Sequence, residues 1–298
     1  MMISELYKIT VFFKKHTKYI WKFIYKLNKI IINIFYPLFK GTFGKSGVDE
    51  KSDIIISLTS YPARINTVWM TIETLLRQKK VKPKKVILWL ASNQFPNKKI
   101  PKKLQNQTKR GLEIKYCDDL KPHKKYYYTF KSYPKNLVVT VDDDVFYNED
   151  FLEQLYKGHI KYPNAVVCNW AHKMTFNKNK LEKYNNWDMY TNELSLLTVP
   201  IGCCGVLYNP KFFDEELYDI EKIKKLCFYT DDLWLKFMEL KNSVPAVNVN
   251  ESNIIYFCNI RSSFSGLYKK NTAIGNRNDQ NLIKLLEEYP NIFKNVKE

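Results

Sequence analysis

Glycine is scarce in this chain of 298 residues, with only nine in all, and the glycine-built phosphate cradles are missing with it. No G-x-G-x-x-G follows the first apolar run, and no G-x-x-x-x-G-K-[ST] occurs anywhere. Neither a dinucleotide-dependent dehydrogenase nor a P-loop enzyme is therefore supported. Histidine is scarcer still, at four, and none stands at ligand spacing; the six cysteines include no C-x-x-C pair. A zinc site is not expected from such a set. Cys203 and Cys204 are neighbours in an apolar stretch, and several other cysteines lie in runs that read as buried strands. Thiols in such places behave as small hydrophobes, a usage that favours a reducing cytosol. Carboxylates are the minority charge: 48 Lys and Arg stand against 30 Asp and Glu, a net +18. That balance points to an anionic partner such as a nucleotide, a phospholipid, a nucleic acid or an acidic glycan. No nucleic-acid-binding motif accompanies it, so no nucleic-acid partner is expected.

Apolar residues are plentiful, at 45%, and aromatics reach 15% with 21 Tyr and 18 Phe. Tyr and Trp suit surfaces that stack on bases and sugar rings, though they serve a core equally well. Residues 1–45 hold nine Lys and one Glu, nearly half of the excess positive charge. On a helical wheel over 11–32, Lys14, Lys15, Lys18, Lys22, Lys26 and Lys29 fall on one face. Phe12, Phe13, Ile20, Phe23, Ile24, Leu27, Ile30 and Ile31 fall on the other. The lysines recur too often for a bilayer span, and no uninterrupted apolar core with a small-residue site marks a cleaved signal peptide. A basic amphipathic helix lying on an anionic membrane fits this pattern. So does a helix docked on the protein's own surface or on a partner. Gly41–Lys51 reads as a linker that separates the helix from the body.

Beyond it the chain alternates. Apolar runs at Asp53–Thr59, Lys85–Leu90, Leu112–Tyr116, Leu137–Val141 and Ala165–Asn169 read as buried strands. Helical periodicity covers Thr67–Gln78, Gln105–Arg110, Tyr126–Ser132 and a segment starting at Phe151. No internal repeat is visible. Continuous apolar strands alternating with helices predict a mostly parallel sheet covered on both faces, with ligands at the carboxyl ends of its strands.

One of those ends carries Asp142-Asp143-Asp144, directly after the run LVVTV. Three like charges this close repel, and repulsion invites a cation. Along an extended chain Asp142 and Asp144 share a face and Asp143 points away. Two carboxylates on one side can hold a hard divalent cation, Mn2+ or Mg2+, that grips a diphosphate and acts on it as a Lewis acid. The triplet also fits a solvated turn or a helix N-terminus, with Asn148, Glu149 and Asp150 behind it.

SLTSYPARI (57–65), ILWLA (87–91), VTVDDDV (139–145), GVLY (205–208) and TDDLWL (230–235) occur in this order. Together the set resembles bacterial GT-A glycosyltransferases of the family-two-like kind found in surface-polysaccharide synthesis. The similarity covers about residues 53–280. It implies an α/β GT-A fold, Rossmann-like with helices on both faces of a mostly parallel sheet, preceded by the N-terminal amphipathic helix. Residues 1–45 would then be the basic helical segment and 46–298 the catalytic domain, with 46–145 the nucleotide-sugar half and 146–298 the acceptor half.

By the same resemblance, Thr59, Ser60, Tyr61 and Arg64 seat the base, ribose and phosphates of the donor. Asp142 and Asp144 match the D-x-D pair that binds ribose and metal, with Asp143 beside them in the donor site. His123, Lys124 and Lys125 would meet the diphosphate, a position that equally fits a solvated basic run. Asp231 and Asp232 match the acidic pair that opens a helix in the acceptor half. In inverting members a carboxylate there takes the acceptor's proton; Asp232 is the first candidate and Asp231 the second, though an ordinary exposed N-cap has the same appearance. Many such enzymes add a late His to the metal, but the last His here is His172, which leaves Asn276, Asp279 or water. The implied partners are a nucleotide-sugar donor, with UDP the default, and a glycan or lipid-linked acceptor. The implied location is cytoplasmic, at the inner face of the cell membrane. A nucleotidyltransferase could share the acidic site but would want a Gly-rich loop with Arg and Lys where SYPARI stands.

Overall fold

The structure is a computed structural model, described for residues 2–39, 47–261, 276–294 and 296. The strands in chain order are β1 (Ile54–Thr59), β2 (Lys85–Ala91), β3 (Leu112–Cys117), β4 (Leu137–Thr140), β5 (Val145–Phe146) and β6 (Val166–Cys168). Then follow β7 (Ala171–Lys173), β8 (Phe176–Asn177), β9 (Lys180–Leu181), β10 (Thr198–Pro200), β11 (Val206–Tyr208), β12 (Ala246–Asn248) and β13 (Phe257–Cys258). Seven of them form one sheet in the order β12-β6-β11-β4-β1-β2-β3. Every neighbouring pair is parallel except those made by β11, which runs antiparallel to both β4 and β6.

The helices are α1 (Met2–His16), α2 (Ile20–Phe39), α3 (Val68–Leu75), α4 (Lys102–Thr108), α5 (Lys124–Ser132), α6 (Phe151–Lys161), α7 (Ile220–Leu226), α8 (Asp231–Lys241) and α9 (Arg277–Glu288). Strand alternation sorts the core into two layers. Ile54, Ile56 and Leu58 of β1, with Val86, Leu88 and Leu90 of β2, pack on the side of α3, α4 and α6. Ile55, Ile87 and Trp89 face the other side, against Tyr128 and Tyr133 at α5. The second layer continues through α5, α7 and α8, where Tyr126, Phe130, Trp234 and Phe237 are all buried.

The N-terminal segment differs from the single helix read over 11–32. Helix stops at His16 and restarts at Ile20, so one wheel cannot be drawn through both pieces. Asn28 ties α2 to α1 by donating to the Leu6 carbonyl at 2.9 Å and to Thr10 at 3.0 Å. The pair is docked on the body. Ile3, Tyr7 and Ile32 belong to the main core, Tyr7 donates to the Ile254 carbonyl, and Tyr25 stacks on Phe257. Lys14 turns back to the body as well, donating to the Ser252 carbonyl at 3.1 Å. The expected separation by a linker does not hold: residues 40–46 lie outside the described residues, yet both helices before them pack on the domain after them. No helix among the described residues is long and apolar enough to cross a membrane.

The chain runs outward from β1 to β2 and β3, then returns to place β4 on β1's other side. The carboxyl ends of β1 and β4 therefore flank a topological switch point, where open α/β sheets form their ligand crevice.

Candidate active site

The register pairs Ser57 with Thr140, and the Val141 N–H donates to the Ser57 carbonyl at 3.1 Å. Residues that follow β1 therefore meet residues that follow β4. Ser60 donates its hydroxyl to Asp143 at 2.6 Å, and Arg64 sets one guanidinium nitrogen 2.6 Å from Asp143 and 3.1 Å from Asp144. Thr71 of α3 donates to the Asp143 carbonyl. Ser60 and Arg64 thus hold the acidic turn, while Thr59 donates to the Trp89 carbonyl of β2. Tyr61 is half-exposed, with the Arg64 guanidinium 5.6 Å from its ring centre.

The three carboxylates are unequally open. The Asp142 side chain is 37% exposed, that of Asp144 19% and that of Asp143 6%. Asp143 is the inward member, but it and Asp144 lie in a turn rather than in the extended chain expected from the sequence. The expected alternation is incomplete, because Asp144 reaches the same guanidinium. Burial pushes Asp144 up to about 7, Arg64 opposing and the neighbouring carboxylates of Asp143 and Asp142 adding to it.

Lys125 is the centre of the arrangement. Its ammonium is buried, 2.9 Å from Asp142 and 3.0 Å from Asp231. Ser57, a polar residue between the apolar Ile56 and Leu58 of β1, explains its position: the hydroxyl donates to the Lys125 carbonyl at 2.5 Å and meets Thr129 at 2.7 Å, which pins α5 against the strand. Burial opposes the charge on Lys125, but Asp142, Asp231 and Asp232 outweigh it and hold the amine well above its ordinary value. The other two basic candidates are elsewhere. Lys124 pairs with Asp119 at 2.5 Å. His123 is wholly buried, between the Tyr126 hydroxyl and the Cys227 carbonyl, and burial lowers it to about 4. It is a neutral core histidine.

Asp231 and Asp232 begin α8, where the helix dipole favours negative charge. The expected exposed position is corrected for Asp231, which is buried. Its Oδ2 faces Lys125 without hydrogen-bond alignment. Asp232 accepts the Gly202 backbone N–H at 3.2 Å, and burial, then the Asp231 charge, push its carboxyl up to about 8 against the pull of Lys125. Gly202 is a residue that reading the sequence missed. A Cβ there would lie 2.9 Å from the Lys125 ammonium and 3.1 Å from Asp232. Tyr147 was missed too: it accepts the Asp142 N–H and donates to the Cys203 carbonyl, joining the acidic turn to the 202–204 turn. The signal for Gly202 was its place in PIGCCG, between two short apolar runs.

Asp279 does not join the acidic turn; it accepts the Tyr184 N–H at 2.7 Å at the start of α9, with Asn276 just before it in a left-handed conformation. Among the described residues no group of three or more His, Cys, Asp or Glu is arranged to hold a metal ion. The expected pair of hard carboxylates, Asp142 and Asp144, is held by different cations, Asp142 by Lys125 and Asp144 by Arg64. Five carboxylates in the region face two cationic groups; burial first, and then that surplus of negative charge, raises Asp144 and Asp232. A hard dication sharing its shell with a diphosphate and water fits such a pair.

No family model matches the chain, and no curated protein does. Among solved structures it is similar to a mannosyltransferase from Pyrobaculum calidifontis in complex with GDP-Man and Mn2+. The identity is 10% and the TM-score 0.48, over 88% of this chain and 71% of that one. So loose a likeness gives no residue correspondence.

Proposed function

We propose that this chain is a GT-A glycosyltransferase that moves a sugar from a nucleotide-sugar, UDP by default, to a glycan or lipid-linked acceptor. The setting we propose is bacterial surface-polysaccharide synthesis at the inner face of the cell membrane. The observation that carries this reading is the convergence of two acidic pairs from distant parts of the chain. Asp142 and Asp231 meet on one buried ammonium, Lys125, beside a switch point where ligands of α/β sheets gather.

In this reading Tyr61 covers the base, and Asp142 and Asp144 hold the divalent cation and the ribose. The cation, when bound, supplies Lewis-acid stabilisation of the departing diphosphate. Lys125 orients Asp142 through its ion pair, and Arg64 orients Asp144 from the other side. Asp232 takes the proton of the acceptor hydroxyl; a carboxyl pushed upward is the stronger base once ionised. The membrane contact is α2. Ile20, Phe23, Leu27, Ile30, Ile34 and Leu38 form an exposed stripe along it, with Lys22 and Lys26 exposed nearby.

Thermal melting with ligands tests the class of partner. UDP together with Mn2+ is expected to raise the midpoint, since anything that binds only the folded state stabilises it. A rise with polynucleotide and none with UDP and Mn2+ would replace the reading by a nucleic-acid-binding one.

A further inference from the structure

Between the second half of α2 and the start of α3 runs a groove of about 630 Å³. Its outer wall is Ile30, Ile34 and Leu38, which are also members of the exposed stripe of α2. Trp69 and Met70 form its buried inner wall. Its charged lining residues are Lys103 and Arg261, and no carboxylate lines it among the described residues. The groove is therefore largely apolar, with Asn33, Asn66, Thr67 and Asn259 as its neutral polar lining, and positive in its charge.

The lining of the groove is hydrogen-bonded to the acidic turn. Asn259, one of its lining residues, donates its backbone N–H to the Asp144 carbonyl at 2.7 Å. Thr67, another, donates both its N–H and its hydroxyl to the Arg64 carbonyl. Arg64 in turn pairs with Asp143 and Asp144. One end is thus continuous with the face read as the membrane contact, and the other is one bonded residue from the acidic turn.

We infer that this groove seats a long hydrocarbon chain carrying a phosphate, drawn from the bilayer: the lipid part of the acceptor. The apolar walls take the chain, and Lys103 and Arg261 attract the phosphate. An ammonium and a guanidinium at an apolar surface suit a phosphate monoester or diester better than a neutral lipid. Continuity with the stripe lets a chain slide from the membrane into the groove without crossing water. The inference rests on the reading of transfer to a lipid-linked acceptor, and it commits that reading to one surface.

The test is calorimetric titration of the full chain with dodecyl phosphate below its micellar concentration, with inorganic phosphate and dodecanol as separate controls. Dodecyl phosphate is expected to bind, inorganic phosphate to compete poorly, and dodecanol to bind more weakly. Ile34→Glu and Leu38→Glu are expected to weaken binding at least about tenfold, the consequence of placing a charge against a hydrocarbon chain. Both positions are exposed, so the fold survives the change. Phe23→Glu changes the same stripe outside the groove. It is expected to leave dodecyl phosphate binding unchanged while reducing flotation with anionic vesicles. Equal loss in Phe23→Glu and Ile34→Glu would overturn the groove in favour of general membrane adhesion. Displacement by UDP would overturn it in favour of the nucleotide site, and a dimer that Ile34→Glu dissociates would make a second copy the occupant.

Nucleotide-sugar hydrolysis, measured separately on the wild type, keeps the two readings apart. Binding that tracks Ile34 without hydrolysis leaves the groove standing and removes the transfer reading; hydrolysis without binding removes the groove alone.

Discussion

Asp232 and Lys125 are the residues on which the account makes its most specific demands. If Asp232 is the base, Asp232→Asn is expected to slow transfer by about 10²–10⁴-fold with nucleotide affinity largely kept. Its carboxyl, pushed up to about 8, ionises progressively as pH rises through the two units below that value and is half ionised there. Transfer is therefore expected to climb from pH 6 towards 8, and the variant is expected to lose that climb. An unchanged ascending limb in Asp232→Asn would remove the residue from the chemistry. Lys125→Met would leave Asp231 buried beside an apolar side chain with its cation gone. Removing one partner of a buried pair costs about 3–5 kcal/mol, to be read in a denaturant melt. At this scale the acidic residues were legible because consecutive carboxylates after an apolar strand have no packing rationale. Their partners were not. Nothing in SYPARI tells that Ser60 and Arg64 turn inward to Asp143, and nothing in HKK distinguishes Lys125, aimed at the acids, from Lys124, committed to Asp119.

The elements fared better. The five strands read from the sequence are found within a residue or two; four are buried on both faces and declare themselves by composition, while β3, at the sheet edge, is mostly half-buried. The antiparallel β11 and the 202–204 turn before it were not read as elements, since a three-residue strand offers no period to detect. Yet that turn brings the Gly202 N–H to Asp232 and leaves room for Lys125 by having no side chain. Gly202→Ala is expected to keep the fold, since the atoms a methyl would meet are flexible side-chain ends, while pushing Lys125 and Asp232 apart. A loss of about tenfold or more in turnover, the scale of one disturbed charge contact, is the expected outcome. Full turnover in a crystal-verified Gly202→Ala protein would show that the turn matters only for packing.

For the whole molecule the largest departure from the sequence reading concerns residues 2–39. A helical wheel sorts residues by angle but assumes an unbroken helix, and the Thr17–Tyr19 break invalidates it. It also misses a buried face made of mixed residues. Tyr25, Asn28, Ile32 and Tyr36 follow helical spacing and pack inward, between the lysine side and the apolar stripe. Ile3, Tyr7 and Ile32 each contribute on the order of 1.5–3 kcal/mol by burial. Deleting residues 1–45 is accordingly expected to lower the unfolding midpoint sharply, because it uncovers Tyr256 and Phe257. A truncated protein that melts like the full chain would mean the helices are passive passengers on the domain.

Turnover of a nucleotide-sugar panel bears most directly on the central claim that Asp142 and Asp144 serve a metal-assisted sugar transfer. It is measured with the wild type, with the wild type plus chelator, and with Asp142→Asn and Asp144→Asn. The account predicts hydrolysis or transfer from one nucleotide-sugar, abolished by chelator and restored by Mn2+ or Mg2+. It predicts a fall of at least about 10²-fold in either variant, with the fold intact. Undiminished turnover in Asp144→Asn, or turnover indifferent to chelator, would contradict it.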